Sequence, residues 1–265
     1  VMTLAPADGH VRAEFTLADL RDLSTAIARA RHLCNLDADP EAVDRALGAD
    51  PALASSVARR AGLRVPGTVD GFETAVRAVA GQQVSVAGAR TVLGGVVAAA
   101  DVRLTHPDRS LTHVFPDAAE TALLVERHPE AFAMPAARRA AVAGLAAAVA
   151  DGRLAIDPGA SPVELRAALV TLPGIGPWTA EYVAMRGLGD PDSFLPSDLG
   201  TRRGAAARGV PDDPRSLAAH AERWRPWRSY AQMHLWTTAV PGDASHAPTG
   251  DDRDLSRHDR KAAVA

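Results

Sequence analysis

The chain has 265 residues, of which 47% are hydrophobic, and a formal net charge of −3. This composition allows one core or two lobes, and the charge is not that of a basic protein that coats nucleic acid without specificity. No apolar run reaches the length of a membrane span and no signal-peptide pattern is present, so we predict a cytoplasmic protein without membrane contact. The single cysteine, Cys34, excludes an internal disulfide and a cysteine-ligated iron–sulfur cluster.

Residues 1–39 are predicted to be the remnant of an N-terminal α/β domain. Residues 11–15 alternate apolar and polar side chains, which indicates one strand. Apolar positions from Leu17 to Ala30 recur at helical spacing and indicate one helix. Because a single strand cannot satisfy both of its edges, we expect the chain to begin inside a larger domain.

Residues 40–240 are predicted to form a mostly α-helical domain, and residues 241–265 a disordered tail. Alanine- and arginine-rich stretches repeat at helical spacing, whereas runs of β-branched residues are scarce. Asp70 is a plausible helix cap. The predicted helices cover residues 41–47, 70–79, 84–100, 116–126, 136–151 and 162–171. After Pro241 the apolar periodicity is lost, which is typical of disorder.

The segment LPGIGPWTA, residues 172–180, predicts a tight hairpin between two helices. Gly174 and Gly176 allow positive φ and a close approach of the backbone to a ligand. Pro177 favours the start of a helix, whose free N–H groups suit one phosphate. Ile175 is expected to anchor the hairpin in the core. Taken alone, the turn equally predicts a simple helix–helix connector.

Two further segments change that balance. LPGIGPWTA resembles the helix-hairpin-helix of the base-excision DNA glycosylase superfamily, and FLPSD at 194–198 resembles the segment that carries its catalytic aspartate. Residues 223–236 are similar to those of AlkA-type 3-methyladenine DNA glycosylases. The resemblance implies the helix-hairpin-helix glycosylase fold, with two helical lobes and a cleft, mostly α. It also implies DNA contacts by Gly174, Ile175, Gly176 and Thr179.

Asp198 is the predicted catalytic residue. Cleavage of a glycosidic bond passes through an oxocarbenium-like sugar, which a fixed carboxylate stabilises while it orients the attacking water. An aspartate after Pro-Ser is also a common helix N-cap, and the two roles are compatible. At Trp178, glycosylases that also cleave the strand carry a lysine, so the resemblance implies hydrolysis by water alone.

An aromatic pocket for a flipped base is predicted from Trp178, Tyr182 and Trp236. Trp178 and Tyr182 lie four residues apart on one helix face, and electron-rich rings bind cationic alkylated bases well. Aromatic residues at this spacing also form ordinary cores. By resemblance, Gln82 and Gln83 occupy the segment that fills the gap left by the base, with Gln83 the candidate wedge. The alternative is a surface glutamine pair.

A local basic patch is predicted in the C-terminal third. Trp224 and Trp227 are expected to pack between helices, while Arg225 and Arg228 face phosphate. The patch comprises Arg202, Arg203, Arg208, Arg223, Arg225 and Arg228.

These observations predict a monofunctional DNA glycosylase for alkylated purines of the 3-methyladenine and 7-methylguanine type. It would act in base-excision repair as a nucleoid-associated monomer on double-stranded DNA. The alternatives are a glycosylase of the same superfamily for deaminated or mismatched bases, and a non-catalytic DNA-binding module. No organic cofactor and no metal-ligand set is predicted, and the resemblance implies a monovalent cation against the hairpin carbonyls.

Overall fold

The computed structural model describes residues 1–108 and 111–237, and α-helices dominate both ranges, as predicted. The helices are α1 (Leu23–Leu33), α2 (Pro40–Gly48), α3 (Pro51–Arg59), α4 (Gly71–Ala80), α5 (Val86–Ala100), α6 (Ala118–Arg127), α7 (Ala136–Ala150), α8 (Pro162–Leu169), α9 (Pro177–Val183), α10 (Leu199–Ala206), α11 (Pro214–Ala221) and α12 (Arg228–Trp236). α9 continues directly into a π-helical turn at Ala184–Leu188. Within the described ranges, no helix is long and apolar enough to cross a membrane.

Short N-terminal caps explain where several of these helices begin. The Asp70 carboxylate accepts a hydrogen bond from the Glu73 N–H at 2.8 Å, which confirms the predicted cap of α4. Asp117 and Glu120 form a reciprocal capping box at α6. Helices α2, α3, α8, α9 and α11 carry proline in the first turn, where its missing N–H costs no hydrogen bond.

The N-terminal segment contains a β-hairpin, so the prediction of one strand was wrong. Strand β1 (Met2–Ala7) pairs antiparallel with β2 (His10–Phe15), with Met2 opposite Phe15. The turn between them is Asp8-Gly9, and Gly9 has φ +69°. Asp-Gly is a strong hairpin signal because it supplies the positive φ that a two-residue turn needs.

A second hairpin lies between α5 and α6, where no element was predicted. Strand β3 (Arg103–Asp108) pairs antiparallel with β4 (Leu111–His113). The register is irregular, with Arg103 opposite His113 and Asp108 opposite Leu111. Both sheets in the described residues are two-stranded, so the expected larger sheet is not formed by these segments.

Two hydrophobic cores divide the helical part of the molecule into two lobes. The first core is built from helices α4 to α9 and contains the fully buried Val76, Phe132, Leu145 and Leu169. The second core joins α2 and α3 to α10, α11 and α12, through Leu47, Leu53, Leu217 and Leu235. Tyr182 packs against both cores, so α9 lies where the lobes meet. The predicted tail at 241–265 lies outside the described residues.

Candidate active site

Asp198 is the N-cap of α10, and one of its carboxylate oxygens is held by three donors. Its Oδ1 accepts hydrogen bonds from the Thr201 N–H at 2.8 Å, the Thr201 hydroxyl at 3.0 Å and the Trp236 indole N–H at 2.7 Å. Among the described residues, no hydrogen bond reaches Oδ2. The carboxylate is therefore fixed through one oxygen, and the other oxygen remains available.

A buried layer behind Asp198 fixes its donors. The Gln232 amide N–H donates to the Thr201 hydroxyl, and the Gln232 carbonyl accepts from the Leu195 N–H at 3.1 Å. The side chains of Thr201 and Gln232 are fully buried. Because these groups have no water to bond to, their orientations are set by one another and, through them, so is that of Asp198.

Glycines allow α10 and α12 to approach closely enough for the contact between Asp198 and Trp236. A Cβ at Gly204 would lie 2.1 Å from the Leu235 carbonyl oxygen. A Cβ at Gly200 would lie 3.1 Å from Asp198 Oδ1 and also 3.1 Å from Trp236 Cδ1. A side chain at position 200 would crowd both groups, so glycine there favours the contact between the indole and the carboxylate.

A stack of planar side chains leads from the hairpin to Asp198. The rings of Trp178 and Tyr182 are stacked, with centroids 5.3 Å apart and an interplanar angle of 10°. The Arg186 guanidinium carbon lies 5.8 Å from the centroid of the Tyr182 ring and 5.5 Å from that of Trp236. Trp236 in turn bonds Asp198. The predicted pocket residues and the predicted catalytic residue are thus brought together through Arg186.

An open cavity of about 480 Å³ adjoins this stack. Trp178, Tyr182 and Arg186 line one side of the cavity, and α4, α5 and the loop between them line the other. Trp236 is not among its lining residues, because it lies on the Asp198 side of Arg186. The volume falls in the usual range for a small-molecule site.

The hairpin has the predicted shape with one difference. Gly174 has φ +83°, and a Cβ there would lie 2.8 Å from the Ala141 Cβ, so a side chain would be both strained and crowded. Ile175 is buried, as expected. Gly176 has φ −97° and extended backbone, so the prediction of positive φ at this position was wrong. It serves as the N-cap before Pro177.

The two glutamines differ in their surroundings. The Gln82 amide donates to the Thr179 hydroxyl at 3.1 Å and to the Gly174 carbonyl oxygen at 3.3 Å, and so joins the α4–α5 loop to the hairpin. The Thr179 side chain is buried in this contact. Gln83 is exposed, and its φ of +56° is rare for a residue with a side chain. The loop therefore presents Gln83 to solvent beside the hairpin.

The predicted basic patch is largely engaged within the protein. Arg225 contacts Asp192 at 2.6 Å and Glu222 at 2.7 Å, and Arg228 contacts the same two carboxylates. Arg208 donates to backbone carbonyls, including that of His234 at 2.7 Å. Arg225 and Arg228 thus have carboxylate partners, whereas Arg203 and Arg223 are exposed without an ion pair among the described residues. Phosphate contact by Arg225 and Arg228 stays a prediction.

The other tryptophans pack as expected. Trp224 is buried, stacks edge-on against Phe194 and His220, and donates its indole N–H to Asp50 at 2.8 Å. Trp227 is half-buried against Tyr230. Both indoles therefore stabilise the second core.

The chain is similar in sequence to known DNA glycosylases. The chain is 37% identical over 212 residues to DNA-3-methyladenine glycosylase 2 of Escherichia coli, an alignment that covers 80% of this chain and 71% of the relative. The chain belongs to this AlkA family of glycosylases. Residues 1–70 match the AlkA N-terminal domain family.

Within the AlkA family, one relative is much longer than this chain. The probable bifunctional transcriptional activator/DNA repair enzyme AlkA of Mycobacterium tuberculosis is 50% identical over 238 residues, which are 90% of this chain and 47% of the relative. The chain therefore spans about half the length of that relative.

The fold is also that of solved glycosylases. A 3-methyladenine DNA glycosylase from Archaeoglobus fulgidus superimposes with a TM-score of 0.73 over 90% of this chain and 82% of that chain, at 20% identity.

Three residues of the site were missed by the sequence analysis. Arg186 continues the spacing of four from Trp178 and Tyr182, and this periodicity was a usable signal. Thr201 occupies the third helical position after the Asp198 cap, where a cap bonds the backbone N–H. Gln232 carries no local signal, because its contacts join segments more than 30 residues apart in sequence.

Proposed function

We propose that this chain is the catalytic part of a monofunctional DNA glycosylase, which removes alkylated purines from double-stranded DNA by hydrolysis. The observation that carries the proposal is the anchored Asp198 carboxylate, joined through Trp236 and Arg186 to a cavity walled by Trp178 and Tyr182. Family membership points the same way. The proposed reaction belongs to base-excision repair, with the protein associated with the nucleoid.

On the sugar side, Asp198 supplies a fixed negative charge. As the C1′–N bond breaks, the sugar gains oxocarbenium character, and a carboxylate that needs no reorientation stabilises it. The three donors on Oδ1 supply that rigidity, while Oδ2 faces the reaction or orients the attacking water. Water then bonds to C1′, its proton passes to the carboxylate or to solvent, and an abasic site remains.

On the base side, Trp178 and Tyr182 offer a flat aromatic wall. Purines alkylated at a ring nitrogen are cations, which aromatic faces attract, and they are already activated as leaving groups. The site therefore needs less general-acid help than a site for undamaged bases. A deaminated base lacks this positive charge, so it gains less from the aromatic wall and is a poorer leaving group.

The chemistry ends at hydrolysis because no lyase nucleophile is available at the hairpin. Trp178 stands where bifunctional enzymes of the superfamily carry a lysine. Lys261 is the single lysine of the chain, and it lies outside the described residues. Without an amine at this place, no Schiff base with the sugar forms there.

DNA is held by the hairpin and the neighbouring loop. Backbone N–H groups of Gly174, Gly176 and Thr179 contact one phosphate, with the Thr179 side chain turned toward Gln82. Ile175, whose N–H bonds the Leu172 carbonyl oxygen, supports this contact by anchoring the hairpin in the core. Gln83, exposed on a strained backbone, enters the gap that the flipped nucleotide leaves. The protein acts as a monomer on duplex DNA.

The hairpin carbonyls also fit a monovalent cation. The oxygens of Leu172 and Gly174 are hard ligands, and each accepts one hydrogen bond, from the Ile175 N–H and the Gln82 amide respectively. Each therefore keeps a lone pair for a cation. When bound, the cation would offset phosphate charge beside the hairpin.

The decisive test compares Asp198→Asn with wild type on alkylated duplex DNA. Asparagine can still cap α10 but carries no charge, so release of 3-methyladenine and 7-methylguanine should fall by at least about a hundredfold. The matched control is Asp213→Asn, because Asp213 caps α11 in the same way, through the Ser216 N–H at 2.9 Å. The control should release base at the wild-type rate. Binding of alkylated DNA without release by the wild type would instead support a binding module.

A further inference from the structure

We infer that the Arg186 guanidinium assists bond cleavage, by stabilising the electrons that arrive on the departing base. The inference rests on the proposed glycosylase function and assigns a second fixed charge to it. Asp198 stabilises the positive charge that develops on the sugar. Arg186 lies on the base side, where electron density increases.

The position of Arg186 is unusual for an arginine. Its guanidinium lies against the rings of Tyr182 and Trp236, and its side chain lines the cavity. Its Nη1 donates to the Pro66 carbonyl oxygen at 2.7 Å, and its Nε is buried without a hydrogen-bond partner. Within the described part of the chain, no carboxylate lies within ion-pair distance of it.

The absence of a counter-charge distinguishes Arg186 from Arg77 and Arg166, and its partial burial distinguishes it from Arg90, which also lines the cavity but is exposed to solvent. Arg77 also lines the cavity, but its charge is offset by Glu73, with Nε 2.8 Å from the carboxylate. Arg166 is paired with Glu181 at 2.9 Å and also with Asp190. A half-buried cation without a counter-charge interacts strongly with any charge that develops in the neighbouring cavity.

The position within the helix also contributes. Arg186 belongs to the π-helical turn at Ala184–Leu188, and such turns are common at functional sites. The wider turn still leaves Arg186 against Tyr182, four residues earlier, rather than turning it to solvent. The aromatic rings fix the guanidinium plane, so little reorganisation is needed during the reaction.

The direction of charge movement is the same for every leaving base. When the C1′–N bond breaks, both bonding electrons leave with the base. A cationic alkylated purine becomes neutral, and a neutral base becomes an anion that then takes a proton from solvent. In both cases the base becomes more negative by one charge, which a neighbouring cation favours in the transition state.

The charge of the base before cleavage decides whether Arg186 weakens its binding. A cationic base entering the cavity is repelled by Arg186, whereas a neutral base is not. For a cationic lesion, Arg186 therefore weakens the bound ground state and relieves that repulsion as cleavage proceeds. Arg186 thus raises the rate constant for cleavage of every base, whereas it raises the half-saturating concentration only for a cationic base.

The test uses Arg186→Gln, Arg186→Met and Arg186→Lys on duplexes with a single 7-methylguanine or a single hypoxanthine. Single-turnover cleavage at saturation should fall by about ten- to a hundredfold in the two neutral variants on both lesions. The half-saturating concentration for 7-methylguanine should fall relative to that for hypoxanthine. Arg186→Lys should recover most of the rate, because it keeps the charge. Loss of packing alone would not lower the cleavage rate while it tightens binding of the cationic lesion relative to the neutral one.

The controls separate the possible failures. Arg153→Gln removes an exposed charge paired with Asp151, and should leave both measurements unchanged. No release by wild type would refute the proposed function itself. Active wild type with unchanged neutral variants would overturn only the role of Arg186. Equal losses in the lysine and neutral variants, or neutral variants that unfold while the lysine variant does not, would show Arg186 to be a packing residue.

Discussion

Trp236 connects the carboxylate to the rest of the site through one hydrogen bond. Its indole N–H bonds Asp198 at 2.7 Å, while its ring face meets Arg186. In Trp236→Phe the ring stays but the donor is lost, so Asp198 is less firmly held. We expect single-turnover base release to fall about tenfold with little change in DNA affinity.

The control for that substitution is Trp227→Phe, which shortens a half-buried indole packed on Tyr230 in the same lobe. Base release by this variant should match wild type. A wild-type rate in Trp236→Phe would show that the two Thr201 donors suffice to hold Asp198.

At the residue scale, the sequence predicted those site residues that lie within short recognisable motifs. The hairpin and FLPSD segments indicated Asp198, Trp178 and Tyr182, because each side chain lies within a recognisable local pattern. Arg186 and Gln232 were missed for different reasons. The role of Arg186 depends on which arginines lack a carboxylate partner, and that of Gln232 on contacts between distant segments. Neither property is local in sequence.

Helix α12 carries a buried histidine that should make stability depend on pH. His234 is fully buried, its Nδ1 lies 3.1 Å from the Ser56 hydroxyl, and burial lowers its pKa to about 4, with Arg208 and Arg60 acting in the same direction and Asp44 opposing. In the unfolded chain the pKa is about 6.5. Between these values the unfolded chain binds more protons, so stability is lost as the pH falls.

The expected loss in the free energy of unfolding is about 2 kcal/mol between pH 7 and pH 5 from this residue alone. Urea unfolding at both pH values measures it. His234→Gln cannot titrate in this range, so its stability should change less between the two pH values. Equal changes in wild type and variant would assign the pH dependence to other groups.

At the scale of elements, most helices before residue 172 were predicted to within a few residues, α3 and α11 were not predicted, and the β-hairpins were predicted poorly. The predicted helix at 136–151 matches α7 within one residue, because apolar spacing and the flanking Pro135 and Gly152 are all local. The first strand was missed although Asp8-Gly9 is a turn signal, since Pro6 and the small alanines of β1 weaken its strand pattern. The second hairpin has an irregular register, which hides its alternation.

At the scale of the whole molecule, a net charge of −3 and internally paired arginines limit the contacts available to phosphate. Arg90, exposed at the cavity, and Arg203, exposed on α10, have no ion pair among the described residues and offer two charged contacts. We therefore expect log K for an abasic-analogue duplex to fall with log salt with a slope of about −2. Fluorescence anisotropy between 50 and 200 mM KCl, roughly the range over which such slopes are clear, measures it.

Arg90→Gln should make this slope shallower by about one unit. A slope steeper than about −5 would mean that many more cations reach the duplex than the paired arginines allow.

The hydrogen bonds of Gln82 tie together two segments that are 92 residues apart in sequence, so we expect the exposed Gln83 and the hairpin to move as one stiff edge. A stiff edge cannot adapt itself to an intact, straight duplex. The distortion must be borne by the nucleic acid, and it costs least where stacking is already weakened. During a search along DNA, the protein would therefore detect local deformability of the double helix before it contacts any chemical feature of a base.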